Sequence, residues 1–184
     1  WTDTKRKEPA TPEPTDFRQV VAEIWYPAKA NSSVRKSDYQ FRLENYHSVW
    51  DEKTMKILAS VQTDWLEGAS INDSKPFPVF VFSHGWNSQS SSYGTFLANL
   101  ASHGYIVVGI NHPYMGKIAL SNGIVTAPND DQFPNQDTAN QFYAEDVIFV
   151  LNQLVKLNKK NADNRFIGAI DMSKVAAGGH SSGF

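Results

Sequence analysis

Cysteine is absent from this sequence of 184 residues, so disulfide bonds and thiolate metal sites are excluded. Long hydrophobic runs are absent as well, and no stretch of the sequence is predicted to cross a bilayer as a helix. Charge is not in excess either, because a net charge of -2 at pH 7 provides no basic surface for nucleic acid. Nucleic acid is therefore not expected as a partner.

The rest of the composition is that of an ordinary globular domain, with 41% hydrophobic and 20% charged residues. A chain of this length fits one domain and can bury roughly 70% of its unfolded surface. We find no internal repeat and no linker that would divide it. Residues 1–15, which carry prolines at positions 9, 12 and 14 and no hydrophobic period, are expected to form an extended arm.

Few features of the sequence bear on its cellular location. It begins at Trp1, with neither an initiator methionine nor an apolar signal core, which is typical of a trimmed product. The triplets Asn31-Ser-Ser33 and Asn72-Asp-Ser74 match the N-glycosylation sequon. These features favour a secreted protein.

A glycine- and serine-rich pentapeptide carries the clearest chemical signal. Gly179-His-Ser-Ser-Gly183 fits the pattern G-x-S-x-G and follows the apolar run 175–177, which is expected to be a buried strand. In the α/β-hydrolase fold this pattern is the nucleophile elbow, a turn that strains the serine and exposes its hydroxyl. Glycines at both ends allow the backbone to pass closely. Ser181 is therefore the predicted nucleophile, and the alternative is a plain glycine-serine loop.

Strands and helices alternate before the elbow. The hydrophobic patterns predict strands over Phe17–Tyr26, Val79–Phe82 and Tyr105–Ile110, and helices over 93–101 and 136–160. Gly104 is expected to end the first of these helices. Helix and loop are expected over 39–68, and a short hairpin over 117–127. The alternation predicts an α/β fold, namely an α/β-hydrolase with a mostly parallel sheet and helices on both faces.

The loop after the strand at Val79–Phe82 is a candidate for the oxyanion site. A serine esterase needs two N–H donors aimed at the developing oxyanion. One comes from the residue after the nucleophile, which is Ser182, and the other from a loop in the position of Ser83-His84-Gly85-Trp86. We predict the backbone N–H groups of Trp86 and Ser182 as these donors. The alternative is that His84-Gly85 only forms a turn and Trp86 only packs.

No residue is assigned as catalytic base or acid. Both should follow the serine in this fold, but only Ser182, Gly183 and Phe184 follow Ser181. A helix-terminal structural role is favoured for His103, and a packed or hydrogen-bonded role over a supporting one for His112. His180 lies inside the elbow and is poorly placed to reach the Ser181 hydroxyl. We therefore expect residues 1–184 to be the N-terminal part of an incomplete hydrolase domain, completed by further sequence or a second chain.

No cofactor or metal is predicted. No cluster of histidine and carboxylate residues has metal-ligand spacing, and no glycine-rich loop matches a phosphate cradle. Glu145 and Asp146 point about 100° apart on the predicted helix, so they do not form a paired-carboxylate site. The expected sheet edge after the elbow would be open, and we predict that residues 1–184 alone aggregate or need a complementary chain.

Four segments together resemble the platelet-activating-factor acetylhydrolase (isoform II type) group of the α/β-hydrolases. They are Ile24-Trp-Tyr-Pro27, the segment from Phe77 to Gly85, the segment from Leu100 to Val108, and Gly179-His-Ser-Ser-Gly183. The resemblance implies a calcium-independent serine esterase that removes short acyl groups through an acyl-enzyme. It assigns Ser181 as nucleophile and Trp86 and Ser182 as oxyanion donors. The group often has a bulky residue after the nucleophile and then two glycines, whereas this sequence has Ser182 and, at the second glycine, Phe184.

The expected function is therefore hydrolysis of short-acyl esters, including platelet-activating factor or oxidised phospholipids. A dienelactone-hydrolase-like enzyme and a polyester or cutinase-like esterase are alternatives, because the pocket beyond the elbow sets the substrate. A non-catalytic hydrolase-fold binding protein is an alternative of a different class. The expected partners are a small or lipid ester substrate and the remainder of the hydrolase domain, and binding to a lipid surface stays open.

Overall fold

The computed structural model describes residues 1–29, 34–72, 76–159 and 164–184. The sequon at Asn31 lies outside these residues, as do the last two residues of the sequon at Asn72 and the predicted helix end at Lys160. The described strands are β1 (Thr2–Lys7), β2 (Phe17–Gln19), β3 (Val21–Trp25), β4 (Phe77–Ser83), β5 (Ile106–Asn111) and β6 (Ile170–Gly179). The described α-helices are α1 (Glu52–Ser60), α2 (Gly94–Ser102) and α3 (Gln136–Lys159).

Four strands form the main sheet, in the order β3-β5-β4-β6. Strand β4 pairs in parallel with both β5 and β6, whereas β3 runs antiparallel to β5. Helix α2 connects β4 to β5, and α3 lies between β5 and β6, as parallel crossovers require. Ser83 is in register with Gly179, so the loop after β4 and the elbow after β6 meet at one edge of the sheet.

The two faces of the sheet are covered by different helices. Val79 and Val81 of β4 pack in one cluster with Val150 and Leu154 of α3. Phe82 packs in a second cluster with two buried residues of α2, Leu97 and Ala101. This division follows from the alternation of side chains along a strand, which sends neighbouring residues of β4 to opposite faces. The predicted α/β fold with helices on both faces is confirmed.

The N-terminal region differs from the prediction of one strand over Phe17–Tyr26. The structure has two strands there, β2 and β3, which belong to different sheets and are separated at the fully buried Val20. Strand β2 pairs antiparallel with β1, so residues Thr2–Lys7 of the expected arm form part of a two-stranded sheet. The break has a physical reason, because the Val20 N–H donates to the Trp1 carbonyl (2.8 Å) while the strand after it joins β5.

Other helix and turn predictions agree with the structure except in detail. Gly104 follows α2 with a φ of 92°, a conformation that suits glycine, and ends the helix as predicted. The apolar side chains of Phe96 on α2 and Val155 on α3 are exposed rather than buried. The region 39–68 contains a 3-10 helix at Leu43–Ser48 followed by α1. The expected hairpin is a single antiparallel bridge between Ala119 and Val125.

Strand β6 lies at the edge of the sheet. Within the described ranges it pairs with β4 alone, and residues 173–177 are exposed. The prediction that Val175–Ala177 form a strand is confirmed, but the prediction that they are buried is wrong, because no described element covers them. No described helix combines the length and apolar character needed to cross a membrane.

Candidate active site

The turn after β6 has the geometry of a nucleophile elbow. Ser181 has a φ of 53°, in the left-handed region that L-residues rarely adopt. It is the first residue of a 3-10 helix over Ser181–Gly183, and its surface is exposed. A non-glycine residue held in this region stores backbone strain, which is typical of functional sites. The strain and exposure that the pentapeptide predicts for Ser181 are both present.

The glycines at the two ends of the pentapeptide are required by close backbone contacts. A Cβ atom at Gly179 would collide with the carbonyl group of Gly183 and would lie 2.8 Å from the Ser83 carbonyl oxygen. A Cβ atom at Gly183 would collide with the carbonyl oxygens of Ser83 and His84. The elbow is therefore held in place by backbone packing against the end of β4.

The loop after β4 lies directly beside the elbow. The His180 N–H donates to the Ser83 carbonyl (3.1 Å), and a Cβ atom at Gly85 would lie 3.2 Å from the Ser181 Cβ. The Trp86 N–H has no hydrogen-bond partner in the described part of the chain, and the Trp86 ring packs against Phe133. The Ser182 N–H lies in the first turn of a helix, where amide groups lack intrahelical partners.

The peptide group before Trp86 is held by two hydrogen bonds, and the peptide group after it by a third. The Gly85 carbonyl accepts from the Ser88 N–H (3.2 Å), which closes a turn with Asn87 at a φ of 55°. The Asn87 N–H donates to the Met115 carbonyl (2.7 Å) and so ties the turn to the loop after β5. The same Gly85 carbonyl lies 2.7 Å from Nδ1 of His84. The loop is thus fixed on both sides of Trp86.

His84 is a fully buried, neutral histidine. Its Nε2 accepts a hydrogen bond from the His112 N–H (3.1 Å), so the ring proton lies on Nδ1 and is donated to Gly85. Burial, followed by the influence of the neighbouring His112, lowers the pKa of His84 to about 3. His84 therefore stays uncharged near neutral pH and serves as a hydrogen-bonding group rather than as a base.

His112 connects His84 to a buried carboxylate. Its Nδ1 lies 2.9 Å from Oδ2 of Asp146, and its Nε2 lies 3.1 Å from the Ser83 hydroxyl. Burial lowers the pKa of His112, and the hydrogen bond to Asp146 opposes that effect. The hydrogen-bonded role that the sequence favours for His112 agrees with this geometry, and the contact of its backbone N–H with His84 leaves the alternative of a supporting role in place.

Asp146 is held by two arginines from the N-terminal strands. Arg18 approaches both carboxylate oxygens, at 3.0 and 2.7 Å, and Arg6 adds a contact of 2.8 Å. Burial alone would raise the pKa of Asp146, but the charge and hydrogen bonds of Arg18, with the hydrogen bond of His112, hold it well below its usual range. Arg18, Asp146, His112 and His84 have no exposed surface. We call these four residues the buried network.

Sequence reasoning did not find the arginines of this site. Arg18 and Asp146 are separated by 128 positions, and no local pattern links them. The residue type does not indicate a buried position for Arg18 either, because arginine is rarely fully buried. The expectation that Glu145 and Asp146 do not act as a carboxylate pair fits the structure, since Asp146 is fully buried and Glu145 is partly exposed.

The other predicted roles can be placed as well. His103 follows α2 and has its Nδ1 2.8 Å from the Asn99 carbonyl, so the helix-terminal role agrees with the structure. His180 makes a hydrogen bond with the Tyr93 hydroxyl (2.9 Å) rather than with Ser181. No described histidine bonds to the Ser181 hydroxyl, and the described residues contain no histidine and carboxylate group suited to a metal.

The sheet order, the two parallel crossovers and the strained serine after β6 together define an α/β-hydrolase fold. A solved structure of a ferulic acid esterase from Streptomyces cinnamoneus has the same fold, with a TM-score of 0.79 and 22% sequence identity over 99% of this chain and 50% of that chain. Residues 15–147 match the family described as platelet-activating factor acetylhydrolase, isoform II. The chain belongs to this family, as the resemblance implied.

A curated relative adds a named activity. The chain is 30% identical over 91 residues to a protein of Arthroderma benhamiae named as a probable 1-alkyl-2-acetylglycerophosphocholine esterase. The match covers 47% of this chain and 24% of that relative. The chain thus spans about half of the ferulic acid esterase and a smaller share of the fungal protein.

Proposed function

We propose that the protein is a serine carboxylic-ester hydrolase that acts through an acyl-enzyme, with Ser181 as nucleophile. The observation that carries this proposal is the exposed Ser181 in a left-handed conformation, beside a loop whose Trp86 N–H has no partner among the described residues. An exposed hydroxyl and free N–H groups at one point are what acyl transfer needs. The N–H groups of Trp86 and Ser182 are the oxyanion donors in this proposal.

The chemistry proceeds in two steps. The Ser181 oxygen attacks the ester carbonyl carbon, its proton passes to a base, and the resulting oxyanion accepts hydrogen bonds from the two N–H groups. Collapse of the intermediate releases the alcohol, which takes up that proton, and leaves an acyl group on Ser181. A water molecule then attacks the acyl-enzyme by the same route, releases the carboxylic acid and restores the hydroxyl.

The base and its carboxylate partner belong to the rest of the hydrolase domain in this proposal. All five histidines of the chain are described, and none bonds to the Ser181 hydroxyl. In this fold the acid and the histidine follow the nucleophile in the sequence. The compared proteins are longer than this chain, and such a continuation, or a second chain, would pair with the open edge of β6.

Short-acyl esters are the proposed substrate class, with acetylated alkylglycerophosphocholines and oxidised phospholipids as members. The family description and the name of the fungal relative support this choice. Dienelactone-type, polyester and feruloyl substrates serve as competitors in the test, and no contact within the described residues favours one of them.

The test is active-site labelling of the full-length protein with a fluorophosphonate, followed by peptide mapping. We expect one adduct, on Ser181, and its loss in Ser181→Ala. The matched control is Ser182→Ala, which keeps the backbone N–H and should therefore label like the unmodified protein. An intact, folded protein that shows no adduct would contradict the proposed function and favour a non-catalytic binding protein.

A second measurement resolves the substrate class. Hydrolysis rates are compared for esters of one alcohol with acyl chains of increasing length, and for a feruloyl ester. We expect the highest kcat/KM for acetyl, and release of acetate from an alkylacetylglycerophosphocholine. A preference for long acyl chains or for the feruloyl ester would overturn the proposed substrate class and leave the serine esterase in place.

A further inference from the structure

The peptide group between Gly85 and Trp86 is oriented by a hydrogen bond from the buried His84 side chain. His84 donates its Nδ1 proton to the Gly85 carbonyl over 2.7 Å. The carbonyl and the Trp86 N–H belong to the same planar trans peptide, so they point in opposite directions. A hydrogen bond that fixes the direction of the carbonyl therefore also fixes the direction of the Trp86 N–H.

His84 is itself immobilised. Its Nε2 accepts from the His112 N–H, and its ring lies close to Gly116, where a Cβ atom would be 3.3 Å from the His84 Cε1. His112 is in turn held by Asp146, which Arg18 holds by two hydrogen bonds. The buried network thus connects the N-terminal strand β2 to the loop beside Ser181 through hydrogen bonds that have no exposed member.

The tautomer of His84 matters for this connection. Because Nε2 accepts the His112 N–H, the neutral ring carries its only proton on Nδ1, facing the Gly85 carbonyl. The Ser88 N–H also donates to this carbonyl, at the longer distance of 3.2 Å. Loss of the His84 donor would therefore loosen the peptide group without opening the turn.

We infer that His84 is a positioning residue for ester hydrolysis. Its hydrogen bond to the Gly85 carbonyl keeps the Trp86 N–H directed towards the oxyanion. The inference rests on the proposed function, since it assigns a role to His84 in that reaction. His84 touches neither the substrate nor the Ser181 hydroxyl in this scheme.

Two substitutions separate the two hydrogen bonds of His84. The amide nitrogen of His84→Asn replaces Nδ1 and keeps the donor to Gly85, whereas the amide oxygen of His84→Gln replaces Nε2 and keeps only the acceptor for His112. Removal of an oxyanion donor costs about 10²–10³ in kcat. A donor that is misdirected rather than removed should cost less, so we expect kcat to fall about tenfold to a hundredfold in His84→Gln, with KM within about twofold. His84→Asn should retain most of the rate.

The specific readout is the rate ratio between an ester and the matching thionoester, measured on the full-length protein. Sulfur replaces the carbonyl oxygen in the thionoester, and it accepts hydrogen bonds more weakly than oxygen. A misdirected oxyanion donor should therefore slow the ester more than the thionoester. General damage to packing should slow both substrates alike. We expect the ester-to-thionoester ratio to fall about tenfold in His84→Gln.

The controls separate this inference from the proposed function. His103→Gln changes an exposed histidine at the end of α2 and should leave the ratio unchanged. An active protein, labelled on Ser181, in which His84→Gln keeps the original ratio would overturn the inference while the proposed function stands. Equal losses of activity in His84→Asn and His84→Gln would overturn it as well. A folded wild-type protein without labelling or hydrolysis would remove the proposed function, and the inference with it.

Discussion

The two sides of the candidate site are built in different ways. The loop that carries Trp86 is supported by the buried network, whose four side chains are fully enclosed and hydrogen-bonded. The elbow that carries Ser181 is exposed, and it is supported by backbone contacts at Gly179 and Gly183. The loop that carries Trp86 therefore depends on hydrogen-bonded and charged side chains, whereas the elbow depends on two glycines that have no Cβ.

This difference indicates how each side would fail. Removal of one charged partner from a buried pair is costly, because the other partner is left buried and unpaired. A backbone contact is lost when any Cβ atom enters it, whatever the polarity of the new side chain. The support of the Trp86 loop is sensitive to pH, because the buried network contains titratable side chains. The backbone contacts of the elbow are not.

The largest effect is expected from Gly179→Ala. The new Cβ would collide with the Gly183 carbonyl, so the elbow must shift and Ser181 with it. A misplacement of about 1 Å at a reacting group can cost about a hundredfold in rate, and we expect fluorophosphonate labelling of Ser181 to slow by at least that factor. The control is Gly178→Ala, whose Cβ would meet only the Phe80 ring at 3.1 Å. Equal labelling of the two variants would show that backbone packing does not hold the elbow.

The next effect concerns the charge at the centre of the buried network. Asp146→Asn removes one of the two carboxylates paired with the buried Arg18, the other being Glu8 at 2.9 Å. Loss of a buried partner costs up to about 3–5 kcal/mol in the free energy of unfolding. Glu145→Gln is the matched control, because its contact with Arg6 is long, at 3.4 Å, and partly exposed, and should contribute less than about 1 kcal/mol. Denaturant unfolding of the full-length protein measures both. Similar losses in the two variants would contradict the assigned importance of Asp146.

A pH dependence of stability should distinguish the two sides further. The folded pKa of His84 is about 3, below the ordinary value of 6.5, so the unfolded chain binds a proton that the folded chain does not. The contribution of His84 is therefore fully present above pH 6.5 and is lost as the pH falls towards 3. One such proton changes the free energy of unfolding by about 1.4 kcal/mol per pH unit.

The measurement is the free energy of unfolding of the full-length protein at several values between about pH 4.5 and 6. Asp146 does not titrate in this window, because its folded pKa lies below its ordinary value of 3.8. His112, whose pKa is lowered by burial, adds to the slope in the same direction. We expect His84→Asn to reduce the slope by about one proton. An unchanged slope in this variant would contradict a neutral, buried His84.

The smallest effect is expected at Tyr143, which packs on the His112 ring at 4.4 Å between centroids. Its buried hydroxyl has no hydrogen-bond partner within the described ranges. Tyr143→Phe should therefore leave the free energy of unfolding unchanged or raise it by up to about 1 kcal/mol. In the control, Tyr46→Phe removes a hydroxyl that accepts from the Ala119 N–H (3.2 Å), and a loss of about 1 kcal/mol is expected. A loss of stability or activity in Tyr143→Phe would reveal a partner for this hydroxyl.

The parts of the structure that the sequence predicts are those with a local signature. The elbow follows from glycines at fixed spacing around Ser181, because a tight turn excludes a Cβ at those points. The apolar run at Val79–Phe82 predicts a strand covered on both faces, and α2 follows from its hydrophobic period. The position of the loop at His84-Gly85 follows from these elements, because parallel strands end at the same edge of a sheet.

The parts that the sequence did not predict depend on long-range contacts. The pairing of Arg18 with Asp146 joins positions 128 residues apart, and each residue by itself is typical of an exposed surface. The division between β2 and β3 has the same origin, since it depends on pairing with β1 and with β5. Exposure of β6 depends on which elements cover it, and an apolar run alone does not contain that information.

The order of the elements along the chain also has a consequence for the order of events during synthesis. Every member of the buried network precedes β6 in the chain, and Ser181 comes after all of them. Translation therefore completes the residues of the buried network before Ser181, and strand β4, which carries the loop of Trp86, gains its second neighbour only when β6 has been made. The pairing of β6 with β4 is then the step that brings Ser181, the proposed nucleophile, beside the loop that carries Trp86.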